Sequence, residues 1–464
     1  METVDTAFWC PTALLESGWA DGVRITVDAH GTIERLETQC EPDAAEVRLP
    51  GAVVPGMPNL HSHAFQRSIV GATQRHAHTQ DSFWTWREAM YASLDRLGPA
   101  ETEAIAAALY VELLEGGFTS IAEFHYVHHD HGGVQFADEA ELSWRVLAAS
   151  RAAGIGLTHL PVLYMTGGFD ARPLGAAQAR FGWSPGGILR LIERFGREVA
   201  TDPDRAVGLA LHSLRAVPPE ALRDAVAGLR ATRPEAPIHI HIAEQTAEVE
   251  QCLAARGVRP VAWLLEHAPV DRRWCLVHAT HLDAHECGGL LEAGAVAGLC
   301  PTTEADLGDG LFPAEHWVAG GGMLGVGTDS HVGRDAADEL RWLEYGQRLF
   351  TRRRNVLRWP GQAHTGAALW RAAATGGAQA LGRSSGVLAE GLRADLVGIR
   401  TDRPGMTGLT HDALLDDLVF GGARDRIDTV VVGGRVVVRD GVHLRRPEIM
   451  ARFEDALSRM RSGR

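Results

Sequence analysis

The chain has 464 residues, 22% of them charged and 45% hydrophobic, with 52 glycines and 21 prolines, a balance that excludes a collagen, a coiled coil and a disordered segment. Its formal net charge of −14 excludes nucleic acid and anionic membrane surfaces as partners, and an acidic ligand needs a local basic pocket. All 45 basic residues are arginine, so a Schiff base, a P-loop lysine and a carbamylated-lysine metal bridge are excluded as well.

The N-terminal Met1-Glu2-Thr3-Val4-Asp5 is acidic where a secretory signal is basic. No apolar run approaches the ~18 residues of a membrane span, so a cytoplasmic location is expected. The first 50 or so residues alternate apolar and polar around turn signals, as in Gly22-Val23-Arg24-Ile25-Thr26-Val27-Asp28, and predict a hairpin meander. Between residues 51 and 384, eight short apolar runs alternate with amphipathic segments: 52–58, 118–124, 156–164, 207–212, 237–242, 274–278, 295–300 and 323–328. Eight βα units in about 300 residues predict an α/β fold, a (β/α)8 TIM-type barrel whose chemistry sits at the strand ends. Toward the far end, Asp428-Thr429-Val430-Val431-Val432 and Arg435-Val436-Val437-Val438 flank Gly433-Gly434, a hairpin turn type, and a helix follows from Pro447. Residues 1–50 and 385–464 are expected to pack together as one small β-sandwich domain. The six cysteines (Cys10, Cys40, Cys252, Cys275, Cys287 and Cys300) show no CxxC spacing and predict free thiols.

The ionisable residues fall where barrel chemistry belongs. Strand one ends in Asn59-Leu60-His61-Ser62-His63, strand five in His239-Ile240-His241, strand six in Leu276-Val277-His278 and strand eight in Gly327-Thr328-Asp329. Residues i and i+2 of a strand share a face, so His61 and His63 can point inward together and chelate one ion. A single histidine among 22 is more often a core or rim residue than a ligand. Four elements converging on one barrel mouth favour a catalytic Zn²⁺ or similar ion, because imidazole and carboxylate are its ligand types.

This pattern of HxH, two further histidines and an aspartate resembles the amidohydrolase superfamily, and the resemblance runs over nearly the whole chain, including the turn Gly391-Leu392-Arg393-Ala394-Asp395-Leu396-Val397. It implies one divalent ion per chain, held by His61, His63, His241 and Asp329, since no lysine exists to bridge two. Zn²⁺ is the ion expected, and Fe²⁺ accepts the same donors. His239 shares the strand parity of His241 but lies ~6.6 Å deeper, the place of a satisfied core histidine, so His241 is the ligand expected. Glu244, three residues on, resembles the proton-shuttling glutamate of single-metal deaminases; it would equally serve as an acidic residue opening the next helix. Asp329 and His278 are then expected to take the water's proton and Glu244 to protonate the leaving nitrogen. The superfamily resemblance also implies a homodimer.

Longer strings narrow the resemblance. Pro55–Arg67 with its HSHAFQR segment, Phe83-Trp84-Thr85-Trp86-Arg87, Glu123-Phe124-His125-Tyr126 and Leu211-His212-Ser213-Leu214-Arg215 are similar to the formimidoylglutamate deiminase family of histidine catabolism. That implies hydrolysis of N-formimino-L-glutamate to N-formyl-L-glutamate and ammonia, with Gln66, Arg87, Tyr126, His212 and Arg215 binding substrate. Physical reasoning agrees for the arginines, since guanidinium forks match a small-molecule dicarboxylate. The cluster His125, His128, His129 and His131 matches no closed metal site and reads as a loop over the pocket that contributes Tyr126. Ser330 and His331, beside Asp329, carry no assigned role. Two rivals stay open: a deaminase of an aminated heterocycle such as guanine, stacked on Trp84 and Trp86, and a non-catalytic metal-binding barrel scaffold.

Overall fold

The computed structural model describes residues 6–72, 74, 83–422 and 424–462; Met1–Asp5 and the side chain of Trp84 lie outside the described residues. Eight parallel staves form the barrel: Met57–Ser62, Phe118–His125, Gly156–Leu163, the pair Arg205–Val207 and Leu209–Leu211, then Ile238–Ile242, Trp274–His278, Val296–Leu299 and Met323–Val326. Each pairs with the next in chain order, and nearly every residue is buried on both faces, which is why these segments read as continuous apolar runs rather than alternating ones. The ring closes between the last stave and the first through a parallel bridge from Ser62 to Asp329. The Asp329 N–H donates to the His61 carbonyl at 3.0 Å and the His63 N–H to the Asp329 carbonyl at 3.2 Å. Gly327 permits that approach: a Cβ there would stand 2.8 Å from the His61 nitrogen.

Amphipathic helices cover the barrel. Pro185–Glu198 shows the logic: Ser184 caps it by accepting from the Gly187 N–H, and Ile188, Leu191, Ile192 and Phe195 recur along one face and are all buried. The C-terminal helix, Arg446–Ser462, packs on Pro99–Glu115 through Ile449, Phe453, Ala456 and Met460.

The small β unit expected from both ends takes the form of one nine-stranded sheet. N-terminal strands Thr6–Leu15, Gly18–Val27 and Ile33–Glu37 join C-terminal strands Leu396–Ile399, Ile427–Val432 and Arg435–Arg439. Gly433 and Gly434 have φ of 52° and 74°, the left-handed pair that a two-residue hairpin of this type requires. Phe8, Cys10, Ile25, Leu396 and Val431 give this sheet a core of its own. Asp204, at the foot of the barrel, pairs with Arg393 and Arg435 and ties the sheet to it.

One expected element is corrected. Residues 52–58 are not a single barrel strand: Ala52–Pro55 pairs with Leu396–Ile399 and with Thr6–Leu15 in the end sheet, and only Met57–Ser62 enters the barrel. Both halves are fully buried, so the apolar run carries no mark of the crossing between sheets.

Candidate metal centre and active site

The first stave ends in the turn that carries His61 and His63, and a buried carboxylate shapes that turn. Glu123, on the second stave, accepts from the Ser62 hydroxyl at 2.7 Å, the Ala64 N–H at 2.7 Å and the Tyr110 hydroxyl at 3.2 Å. Burial pushes its pKa up to about 7, against the pull of these hydrogen bonds. Staves six and eight deliver their site residues by left-handed backbone: φ is 67° at His278 and 41° at Asp329, conformations that cost a non-glycine residue energy and end the strand where the side chain must turn inward.

Four donors meet at the barrel mouth. The Nε2 atoms of His61 and His241 stand 2.9 Å apart, and Asp329 Oδ1 lies 3.5 Å from His61 Nε2 and 3.4 Å from His63 Nε2. The far nitrogens of two rings are committed: His63 Nδ1 donates to the Phe124 carbonyl at 2.9 Å, and His241 Nδ1 to the His212 carbonyl at 3.0 Å. Each of these rings therefore turns an Nε2 lone pair into the centre. Burial, with neighbouring imidazoles, holds the pKa of His61 and His241 well below the ordinary value, and burial also lowers that of His63. Neutral imidazoles whose lone pairs converge on a carboxylate repel one another unless a cation lies between them; this donor set fits a divalent metal ion.

The corner beside this centre is acidic. His278 Nε2 lies 3.8 Å from both Asp329 Oδ2 and Glu244 Oε1, and its Nδ1 donates to Glu304 Oε1 at 3.3 Å. Burial opposes the charged form of His278, but Glu244, Glu304 and Asp329 together push its pKa up to about 10. Burial likewise pushes Glu244 up to about 7, with His278 pulling the other way. Glu304 is a site residue that the sequence reading missed: it opens the short helix Pro301–Leu307 after stave seven, where no HxH-like spacing announces it.

A cavity of about 70 Å³ opens above the donors. His63, His241, Glu244, His278 and Asp329 line its floor, while His61 is fully buried beneath. All five residues expected to bind substrate line the same cavity: Gln66, Arg87, Tyr126, His212 and Arg215. Gln66 Nε2 donates to the Tyr126 hydroxyl at 3.0 Å, His212 packs its ring 4.2 Å from that of Tyr164, and the Arg87 guanidinium sits 5.6 Å over the Tyr91 ring. Trp86 lines the wall as well.

His239 is fully buried and bonded to the Ala380 carbonyl at 2.8 Å, away from the donors. The His125–His131 reading is corrected: this is not a loop laid over the pocket. His125 ends the second stave, and His128 and His129 are buried, bonded to the carbonyls of Val162 and Gly182; only His131 reaches solvent. Ser330 and His331 brace the closure of the ring. The Ser330 hydroxyl meets Thr303 Oγ1 at 3.1 Å, and His331 Nδ1 meets Thr328 Oγ1 at 2.9 Å, which in turn accepts from Asn59.

Comparison with known proteins adds to this geometry. Residues 52–437 match the amidohydrolase family model, and residues 6–49 match the N-terminal domain of the formimidoylglutamate deiminase HutF. The formimidoylglutamate deiminase of Pseudomonas aeruginosa is 49% identical over 94% of this chain and 96% of its own. The chain belongs to the amidohydrolase family, among the formimidoylglutamate deiminases. An 8-oxoguanine deaminase of the same organism is 30% identical over 84% of this chain and 82% of its own. Among solved structures, an amidohydrolase from Brucella melitensis superposes with a TM-score of 0.93 at 43% identity, covering 98% of this chain and 99% of that one. A zinc-bound adenosine deaminase from Xanthomonas campestris shares the fold at 20% identity, with a TM-score of 0.82 over 99% of both chains.

Proposed function

We propose that this protein is a metal-dependent hydrolase that converts N-formimino-L-glutamate to N-formyl-L-glutamate and ammonia, a step of histidine degradation. One observation carries the reading: a single cavity holds the metal-donor set and the Glu244–His278 pair on its floor and two guanidiniums, Arg87 and Arg215, on its walls. A substrate with two carboxylates and one formimino carbon needs this combination of groups.

His61, His63, His241 and Asp329 would hold the ion, Zn²⁺ by its preference for such nitrogen and oxygen donors, with Fe²⁺ able to replace it. When bound, the ion makes a hydroxide-like water available near neutral pH. Asp329 would accept the proton of the attacking water, and His278, fixed by Glu304, would hold that water toward the formimino carbon. Glu244 gives a proton to the terminal nitrogen as the C–N bond breaks, so ammonia leaves rather than an amide anion. Arg87 and Arg215 face the two carboxylates of the substrate, and Gln66, Tyr126 and His212 complete its polar contacts. The test is ammonia release by purified protein across formimino-amino acids and aminated heterocycles. Activity on N-formimino-L-glutamate with N-formyl-L-glutamate as co-product is expected; formamide plus glutamate as products would refute it. Trp86 on the cavity wall and the 30% identity to an 8-oxoguanine deaminase favour ring deamination as the second reading, for which activity confined to purine-like rings is the sign.

The free thiols fit a cytoplasmic location. We propose a homodimer as well. Trp342, Tyr345, Leu349 and Phe350 form an exposed apolar stripe on the helix Ala336–Thr351, the two last being 76% exposed, which a second copy would cover. Light scattering should give twice the mass of the chain, and Leu349→Glu should lower it.

A further inference from the structure

Glu248 lies one helical turn beyond Glu244, on the helix Thr246–Arg256, and lines the cavity between Glu244 and Arg215. Its two oxygens differ. Oε2 accepts the Glu244 N–H at 3.0 Å, whereas Oε1 is buried with no partner among the described residues. Burial raises the carboxyl pKa above its ordinary value, while Arg215, the backbone N–H groups of Glu244 and Ala243, and His278 pull it down; Arg215 forms no ion pair with it among the described residues. A buried carboxylate oxygen without a donor is costly, and at a cavity wall it marks a place where a ligand supplies one.

The substrate of the deiminase reading supplies such a donor. Its formimino group is an amidine, protonated at neutral pH, so it is a planar cation with N–H bonds on both nitrogens. The terminal nitrogen must face Glu244 to leave as ammonia. The nitrogen on the glutamate side then carries its N–H elsewhere, and of the carboxylates lining the cavity Asp329 belongs to the metal-donor set and Glu244 faces the terminal nitrogen, which leaves Glu248. We propose, resting on that reading, that Glu248 is a specificity-determining residue whose Oε1 receives this N–H and whose charge recognises the formamidinium cation. Glu244 and Glu248 then face the two nitrogens of one amidinium, and the arginines face the carboxylates. The product keeps the glutamate-side N–H and loses the positive charge, so Glu248 holds substrate more tightly than product and favours release.

The experiment compares wild type with Glu248→Gln. Gln keeps the volume and an oxygen for the Glu244 N–H, but it removes the charge and puts an NH2 donor where Oε1 stood. Substrate kinetics give KM for N-formimino-L-glutamate, and competition gives the inhibition constant of N-formyl-L-glutamate, its neutral counterpart. KM is expected to rise roughly ten- to a hundredfold, the loss of a charge-assisted hydrogen bond, while the inhibition constant of the product, whose N–H is neutral, rises by a clearly smaller factor. Glu248→Asp, which retains the charge one methylene back, should fall between the two proteins. A KM within twofold of wild type, or equal weakening of substrate and product, overturns the assignment. Wild-type protein that releases no ammonia from N-formimino-L-glutamate would instead refute the deiminase reading, and this inference with it.

Discussion

Substrate charge is the most exposed part of the functional reading, and Arg215→Met tests it. Arg215 follows the fourth stave, is half-buried at the cavity wall, and its guanidinium has no hydrogen-bond or ion-pair partner among the described residues. Removing one partner of a close charged pair costs ~2–5 kcal/mol. Because Arg215 is only half-buried, the lower part of that range applies, ~2–3 kcal/mol, or roughly 30- to 150-fold in kcat/KM at ~1.4 kcal/mol per tenfold. Met keeps the length and apolar stem, so cavity shape is preserved. The assay is steady-state ammonia release with N-formimino-L-glutamate and with N-formimino-glycine, which lacks the second carboxylate. Arg87→Met is run alongside. Wild type should prefer the glutamate derivative, and at least one of the two variants should lose activity on it while losing much less on the glycine derivative, a difference that isolates the carboxylate contact from general damage. Loss below threefold in both variants, or wild-type activity equal on the two substrates, would refute the arginine argument.

Much of the centre was legible because strand geometry is periodic. The i, i+2 spacing of His61 and His63 puts both on one face, and the same parity with a greater depth separates His239 from His241. Arg215 could be reached from its place just past a stave. What was not legible depends on partners far apart in sequence. Glu123 shapes the HxH turn from the next stave, Glu304 orients His278 from a short helix 26 residues on, and neither has a spacing signature. Glu248 sits in the first turn of the helix that follows Glu244, where an acidic residue reads as a helix-start feature. Its neighbour Glu244 drew the interpretation instead. The crossing at Gly56 was hidden because strands of both sheets are buried on both sides, and the His125–His131 run misled because four histidines near a pocket look like a surface cluster, whereas backbone carbonyls and ring packing absorb the buried ones.

Three further outcomes are expected. Elemental analysis should find one divalent ion per chain, and removal by a chelator should abolish activity, with Zn²⁺ or Fe²⁺ restoring it; two tightly bound ions, both needed, would contradict a site of three imidazoles and one carboxylate. Glu244→Gln should keep the metal and lose about 10²–10⁴-fold in kcat, the range for removing a positioned acid–base group, and retention of most activity would make Glu244 only the residue before a helix. Glu304→Gln tests the orientation of His278. Glu304 Oε1 accepts both the His278 Nδ1–H at 3.3 Å and the Cys300 N–H at 2.9 Å. An amide oxygen can still accept these bonds, but it carries no charge to favour the form of His278 that faces Glu244 and Asp329. Partners of this kind typically carry 10–100-fold in activity, so kcat should fall by about that factor while metal content and KM hold. Because Gln can keep both hydrogen bonds of Oε1, full activity in Glu304→Gln would mean that the hydrogen bond alone suffices, and that the buried charge behind His278 has no part in the reaction.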